Sequence, residues 1–235
     1  MYAFKDYFWR IIYLKRFSLH SRSKMIKFKR ECKGAYYMNK KMVLEQLIEE
    51  NNGYLITSMA TEKCDVSRTF LSKYIKENEM EKVAKGVYIT DDVWPDELFI
   101  MQTRNAAAIF SGETALYLHG LIDREYTDIC ITVPTGYNAT HLKADKVQVK
   151  YAPRNIYEMG VCNVASSSGN MVKVYDKERC ICELIMDRSN VEVQNFQTAI
   201  KDYMLRKDKQ LSRLVEYAER FGIRDEVMKY VEVLV

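Results

Sequence analysis

Between Asp65 and Tyr88, in DVSRTFLSKYIKENEMEKVAKGVY, hydroxyl and cationic side chains recur at helical spacing. They are Ser67, Arg68, Thr69, Ser72, Lys73 and Lys76, followed by Lys82 and Lys85. A guanidinium pairs bidentately with guanine, a Ser or Thr hydroxyl serves base edges or phosphate, and an ammonium neutralises phosphate. This set therefore suits double-stranded DNA. Phe70, Leu71, Tyr74 and Ile75 interleave at the same spacing and form the opposite, core-facing side. A polar helix face is ordinarily just solvated surface. Position singles this one out: Ser67, Arg68 and Thr69 stand at the N-terminal end, where a recognition helix reads bases. Glu77, Glu79 and Glu81 flank the following hairpin and limit non-specific affinity, so specific binding calls for dimeric or repeated half-sites.

A second chemistry is spelled less completely. FSGETALYLHGLIDREYTDICI places Gly112 at a helix start and Asp128 on a strand, an arrangement used in nucleotidyl transfer to grip phosphate and Mg²⁺. Glu113 puts an anion beside the phosphate position, however, and Cys130 stands where a second metal carboxylate is needed. Capping by Ser111 and ordinary strand packing account for the same residues. DKERCICE offers Asp176, Glu178 and Glu183 to a metal, but Asp176 reads better as a helix cap and Arg179 as the i+4 partner of Glu183. His119, beside Gly120 on an apolar helix end, reads as a packing or capping histidine. No catalytic residue, cofactor or metal site is expected, and the chain is read as a non-enzyme.

Composition sets the frame for these elements. The chain has 235 residues, 48% hydrophobic, with 3 prolines and 9 glycines, which suits one or two folded domains without a long linker. Six cysteines show no CxxC spacing and, with three histidines, give no zinc ligand set. Reduced, buried thiols in a cytoplasmic protein are expected. No stretch approaches the roughly 20 uninterrupted apolar residues that span a bilayer, so no membrane partner is expected. The net charge of +4 is uneven. Residues 1–37 hold ten Lys/Arg against Asp6 and Glu31, leaving 26 basic and 30 acidic residues of the chain's 36 and 32. Any case for DNA must therefore rest on local placement.

From Met38 the pattern is helix (Met42 or Val43, Leu44, Leu47, Ile48), short extended YLI, and a brief helix SMATEKC capped by Thr57 or Ser58. A helix capped by Ser67 follows, then a hairpin turned at Lys85-Gly86. This is the order of a winged helix-turn-helix. The expected domains are a basic leader at 1–37, the winged helix at 38–90, a linker at 91–103 and a second domain at 104–235. DELFIMQTRNAAAIFSGETALYLHGL reads as one or two helices ending at Gly120. Beyond it DICITVP and KVQVKYA read as strands, a hairpin turns at Ser168-Gly169, and DKERCICELIMDR reads as a helix. Three further helices follow from Val193. The fold class is α+β: an N-terminal winged helix-turn-helix, then a mixed α/β domain with a helical C-terminal tail.

From about Met38 to Val235 the chain resembles the AbiEi antitoxins of the bacterial type IV (AbiE, abortive infection) toxin–antitoxin systems. VSRTFLSKYIKENEMEKVAKGVYI, IFSGETALYLHGL, ITVPTG and VKVYDKERCICELI carry the resemblance, in order and spacing. It implies a cytoplasmic antitoxin and transcriptional repressor acting in phage resistance. Such a protein binds inverted repeats in its own operon promoter and counters a nucleotidyltransferase toxin without forming a stable complex with it. The alternatives are a plain winged-helix regulator, or a degenerate nucleotidyltransferase-like enzyme in the second domain. The resemblance does not need residues 1–37. Lys33-Gly34-Ala35 can be encoded by AAAGGAGC, a ribosome-binding core with a suitable spacer before Met38. Met38 is therefore the expected natural start.

Overall fold

A computed structural model describes residues 39–123, 126–144 and 147–234; the leader expected at 1–37 lies outside them. The chain is mixed α/β, with helices and two sheets. It divides into two compact units between Val93 and Trp94, with hairpin residues Val83–Lys85 grouped with the second.

The first unit opens with α1 over 39–50, whose Leu44, Leu47 and Ile48 are buried. Met42 and Val43, expected on that stripe, are exposed instead. A turn at 51–53 ends α1, where Gly53 takes φ +82° and donates to Ile48 O at 2.9 Å. A Cβ at Gly53 would stand 2.5 Å from Val93 Cγ2 and 2.7 Å from Thr90 Oγ1, so only glycine fits. β1 (Tyr54–Ile56), α2 (Thr57–Cys64), α3 (Arg68–Glu77), β2 (Glu81–Ala84) and β3 (Val87–Ile89) follow. The sheet runs β1-β3-β2, with Tyr54 opposite Ile89 and Ile56 opposite Val87 in antiparallel register. Leu44, Leu55, Ala60, Leu71 and Tyr74 share one core, so α1, β1, α2 and α3 brace one another.

Neither Thr57 nor Ser58 caps α2: Ile56 occupies the cap position and no side chain bonds there. The Thr57 hydroxyl instead donates to Gly86 O at 3.2 Å, alongside Thr57 N at 2.9 Å, tying the hairpin turn to the start of α2. Gly86 has φ +78°, and a Cβ there would meet Thr57 Oγ1 at 2.9 Å. This close approach is why the turn carries glycine.

The second unit contains α4 (Glu97–Arg104), β4 (Ile109–Phe110), α5 (Gly112–Leu118), β5 (Cys130–Pro134), α6 (Thr140–Ala144), β6 (Gln148–Ala152), α7 (Arg154–Tyr157), β7 (Val161–Ala165) and β8 (Met171–Tyr175). The helices α8 (Lys177–Met186), α9 (Val193–Leu205), α10 (Leu211–Phe221) and α11 (Arg224–Leu234) complete it. The sheet order is β6-β5-β4-β8-β7; β6 runs parallel to β5 and β4 to β8, and the other pairs are antiparallel. α8 is central, with Cys180, Ile181, Cys182, Leu184 and Ile185 buried together with Glu178 and Arg179.

One feature of this unit departs from the expected domain boundaries and another has no counterpart in the sequence pattern. α4 agrees with the helical reading of DELFIMQTR but takes up much of the segment expected as a linker, 91–103, and runs on to Arg104, with Leu98 buried. β4, the central strand, is only two residues long, and Gln102 of α4 extends its work. The Gln102 carboxamide accepts from Lys173 N (2.6 Å) and donates to Lys173 O (3.0 Å), pairing with β8 as a backbone amide would.

The five cysteines among the described residues form no disulfide; four are buried and Cys162 is half-buried. No helix among the described residues is long and apolar enough to cross a membrane.

Candidate functional site

α3 carries the candidate surface of the first unit. Its N-cap Ser67 has extended backbone (φ −77°, ψ 156°), and Oγ accepts from Phe70 N at 3.1 Å, as expected. The preceding turn is held by Asp65, a non-glycine residue at φ +48°. The Lys40 ammonium donates to the Asp65 carbonyl and lies 3.5 Å from its carboxylate. These contacts tie α1 to the turn between α2 and α3. Leu71 and Tyr74 are buried, Phe70 and Ile75 half-buried. At 3.6 residues per turn, Arg68, Ser72, Lys76, Thr69 and Lys73 then span an arc of roughly 140° on the opposite side.

All eight residues singled out in the sequence are exposed: Ser67, Arg68, Thr69, Ser72, Lys73 and Lys76 on or beside α3, Lys82 on β2 and Lys85 at the turn. They do not act alike. Arg68 and Ser72 line a concave surface with Thr57, Ser58, Thr61 and Glu62 of α2 and Tyr88 of β3. Ser72 Oγ donates to Arg68 O at 2.9 Å, so its hydroxyl hydrogen is already engaged, while its oxygen can still accept. Lys73 lies 3.5 Å from Glu77 in an exposed i,i+4 pair, which dilutes its charge. Glu62 places an acid in the Arg68 groove, and sequence reading passed over it. A donor beside an acceptor there suits a base edge better than a bare phosphate.

The second unit brings Gly112, Asp128 and Cys130 together, as the nucleotidyl-transfer spacing requires. Gly112 has φ +55°, and a Cβ there would lie 3.3 Å from Cys130 Cβ. The chemistry at the convergence differs from that of a metal site. Gln148 stands opposite Cys130 in the β5–β6 register, and its amide donates to Asp128 Oδ2 at 3.1 Å. The Cys130 thiol approaches Gln148 Oε1 at 3.5 Å, and burial pushes it up in pKa, favouring the neutral thiol. Glu113 accepts from Asn195 Nδ2 at 3.1 Å. Ser111 is no side-chain cap, contrary to expectation: its Oγ accepts from Thr132 Oγ1 at 2.9 Å across the sheet. Gln148, Asn195 and Thr132 were invisible to motif reading, although two-residue alternation on β6 puts Gln148 and Lys150 on one face.

The other carboxylates are occupied structurally. Asp176 caps α8 through Arg179 N (2.9 Å) and accepts from Tyr217 OH (3.1 Å). Glu178, 1% exposed, accepts from Tyr203 OH (3.1 Å) and Gln210 N (3.0 Å). Arg179 holds Glu183 at 2.9 Å. His119 Nε2 lies 2.7 Å from Tyr175 O; a carbonyl only accepts, so Nε2 carries the hydrogen. Burial pushes the His119 pKa below its ordinary value, which fits a packing role.

Lys150 and Asp187 form an ion pair at the edge of this face. Burial lowers the pKa of the Lys150 ammonium, but the hydrogen bond and charge of Asp187 outweigh that and hold it above its ordinary value. Burial raises the Asp187 carboxyl, and Lys150 more than reverses this. The Asp187 contribution is therefore present above its unfolded pKa and lost as pH falls through the lower folded value. The Lys150 contribution is present below its unfolded pKa and lost as pH rises through the higher folded one. Both side chains are more than a third exposed, so the pair is worth under about 1 kcal/mol. Unfolding of Asp187→Asn beside wild type should show a deficit of that size at neutral pH, vanishing in the acid range.

No protein-family model matches the chain, and no curated protein matches it. Among solved structures, the RV2827C protein from Mycobacterium tuberculosis is similar with a TM-score of 0.48 at 14% identity, over 75% of this chain and 70% of that one.

Proposed function

We propose that this chain is a sequence-specific DNA-binding repressor, reading its operator with α3 of a winged helix-turn-helix over 38–90. The observation that carries this reading is the exposed polar arc of α3, with Arg68 at the capped N-terminus and the opposite face locked in a core. The order helix, strand, helix, helix, hairpin supports it, as does the hairpin turn tied to α2 with Lys85 exposed. Following the AbiEi resemblance, the second unit is a non-enzymatic antitoxin domain that counters a nucleotidyltransferase toxin encoded beside it. The neutral Gln148 and Cys130 around Asp128 support the non-enzymatic reading, because Mg²⁺ is held by carboxylates and phosphate oxygens.

Fluorescence anisotropy with the chain's own promoter and a scrambled duplex, across salt concentrations, tests the DNA reading. Arg68→Ala should cost about 1–3 kcal/mol on the promoter and relax sequence preference. Lys85→Ala should weaken both duplexes alike and reduce the salt slope by about 1. Equal wild-type affinity for the two duplexes would refute the operator reading. In cells carrying the neighbouring toxin gene, full-length Arg68→Ala should lose repression yet keep protection. Loss of both would favour a plain regulator. Metal-dependent nucleotide transfer by the purified chain, abolished by Asp128→Ala, would establish an enzyme instead.

A further inference from the structure

β7 is a terminal strand of the five-stranded sheet, and its open side can be assigned residue by residue. Gly160 O accepts from Asp176 N at one end of the β7–β8 ladder, and Ser166 N donates to Asn170 O at the other (2.6 and 2.8 Å). Bonded and non-bonded pairs alternate along an antiparallel ladder. Cys162 and Val164 therefore bond inward to β8, while Val161, Asn163 and Ala165 turn their N–H and C=O groups outward. Those outward groups meet no partner among the described residues.

Exposed edges are normally blunted by charge, proline or a bulge. β7 has none of these: VCNVA is uncharged, and its register with β8 is unbroken from Val161 opposite Tyr175 to Ala165 opposite Met171. The opposite edge strand, β6, carries Lys150 and runs into Pro153. Val161 and Met171 add exposed apolar surface along the β7 side.

We propose that β7 is a homodimerisation edge, two copies pairing β7 against β7 antiparallel about a two-fold axis at Asn163. In this register Val161 faces the partner's Ala165, and Asn163 faces its own twin. Every outward N–H and C=O of the three residues then finds a counterpart. The strand itself argues for a second copy as the occupant. Being uncharged, it sets no like charges against each other, and a carboxamide both donates to and accepts from an identical carboxamide. The dimer stands on the sheet alone. Its consequence for DNA, two copies of the first unit brought to one operator with inverted repeats, rests on the operator reading.

Sedimentation equilibrium of the full chain, from low to high micromolar, should show a monomer–dimer equilibrium. Amide exchange at Val161, Asn163 and Ala165 should slow as concentration rises, while Cys162 and Val164 stay unchanged. Asn163→Lys and Asn163→Asp each set like charges across the axis and should weaken the dimer about tenfold or more. Mixing the two variants should restore it, which a folding defect would not allow. A wild type monomeric throughout, or an Asn163→Lys variant that dimerises like wild type, would overturn the proposal. Arg68→Ala should dimerise normally. Dimerisation that follows this pattern without promoter binding would defeat the operator reading alone.

Discussion

Replacing Arg179 with Met should destabilise the second unit by about 3–5 kcal/mol, the cost of stripping one partner from a buried ion pair. Arg179 is 1% exposed. Its Nε donates to Glu183 at 2.9 Å, its Nη1 donates to the carbonyls of Ile156 and Met159 at 2.5 and 2.6 Å, and its guanidinium lies 3.3 Å from the Tyr175 ring centroid. Methionine fills similar space but leaves the Met159 carbonyl and the Glu183 carboxylate without a donor, and the Ile156 carbonyl with Met159 N alone at 3.1 Å. Glu183 is already under-served, since its Oε2 is buried with no hydrogen-bond partner. The double variant Arg179→Met/Glu183→Leu should therefore recover much of the loss, because an apolar pair carries no desolvation penalty. Thermal unfolding should fall by roughly 10 °C for the single variant. A single variant within about 1 kcal/mol of wild type would show that the guanidinium is not the clamp between α7 and α8 that its contacts describe.

Asp96→Ala should cost about 3 kcal/mol, combining a lost helix cap with orphaned buried donors. Asp96 is 5% exposed; its Oδ1 accepts from Phe99 N at 3.1 Å, and its Oδ2 accepts from Ser166 Oγ at 2.5 Å and from Asn170 Nδ2 at 2.9 Å. Ser166 and Asn170 are themselves buried, so no water takes the place of the carboxylate without rearrangement. Asp96→Asn keeps an acceptor for the cap but turns one donor toward two donors, and should lose roughly half as much. Denaturant unfolding measures both. If this stretch were an exposed joint, the alanine variant would stay within about 0.5 kcal/mol of wild type.

Asp96 also marks the limit of sequence reading. Trp94, Pro95 and a run of acids look like a solvent joint, because charge and proline are the only local signals available. The partners that bury Asp96 lie 70 and 74 residues away. Elements whose information is local were legible: the two faces of α3 and its Ser67 cap, the Asp176 cap, the Arg179–Glu183 pair, the hairpin at Gly169 and the three terminal helices. Each is written within one or two turns of chain, where periodicity and capping chemistry operate. β4 was not legible, since two residues carry no period. Nor was the choice of Ser111 for Thr132 over its own helix, or the pairing of Gln102 with Lys173. The candidate DNA surface followed the same division. Its eight side chains could be named from spacing alone, but only the folded first unit shows Arg68 and Ser72 sharing a groove with Glu62. By itself the sequence determined most of the apolar helix faces and the helix starts at Ser67 and Asp176, because neighbours along the chain impose those. Only the tertiary structure decided which polar groups go inside and what they meet there, because a buried donor or acceptor is satisfied by whatever the fold brings within about 3 Å.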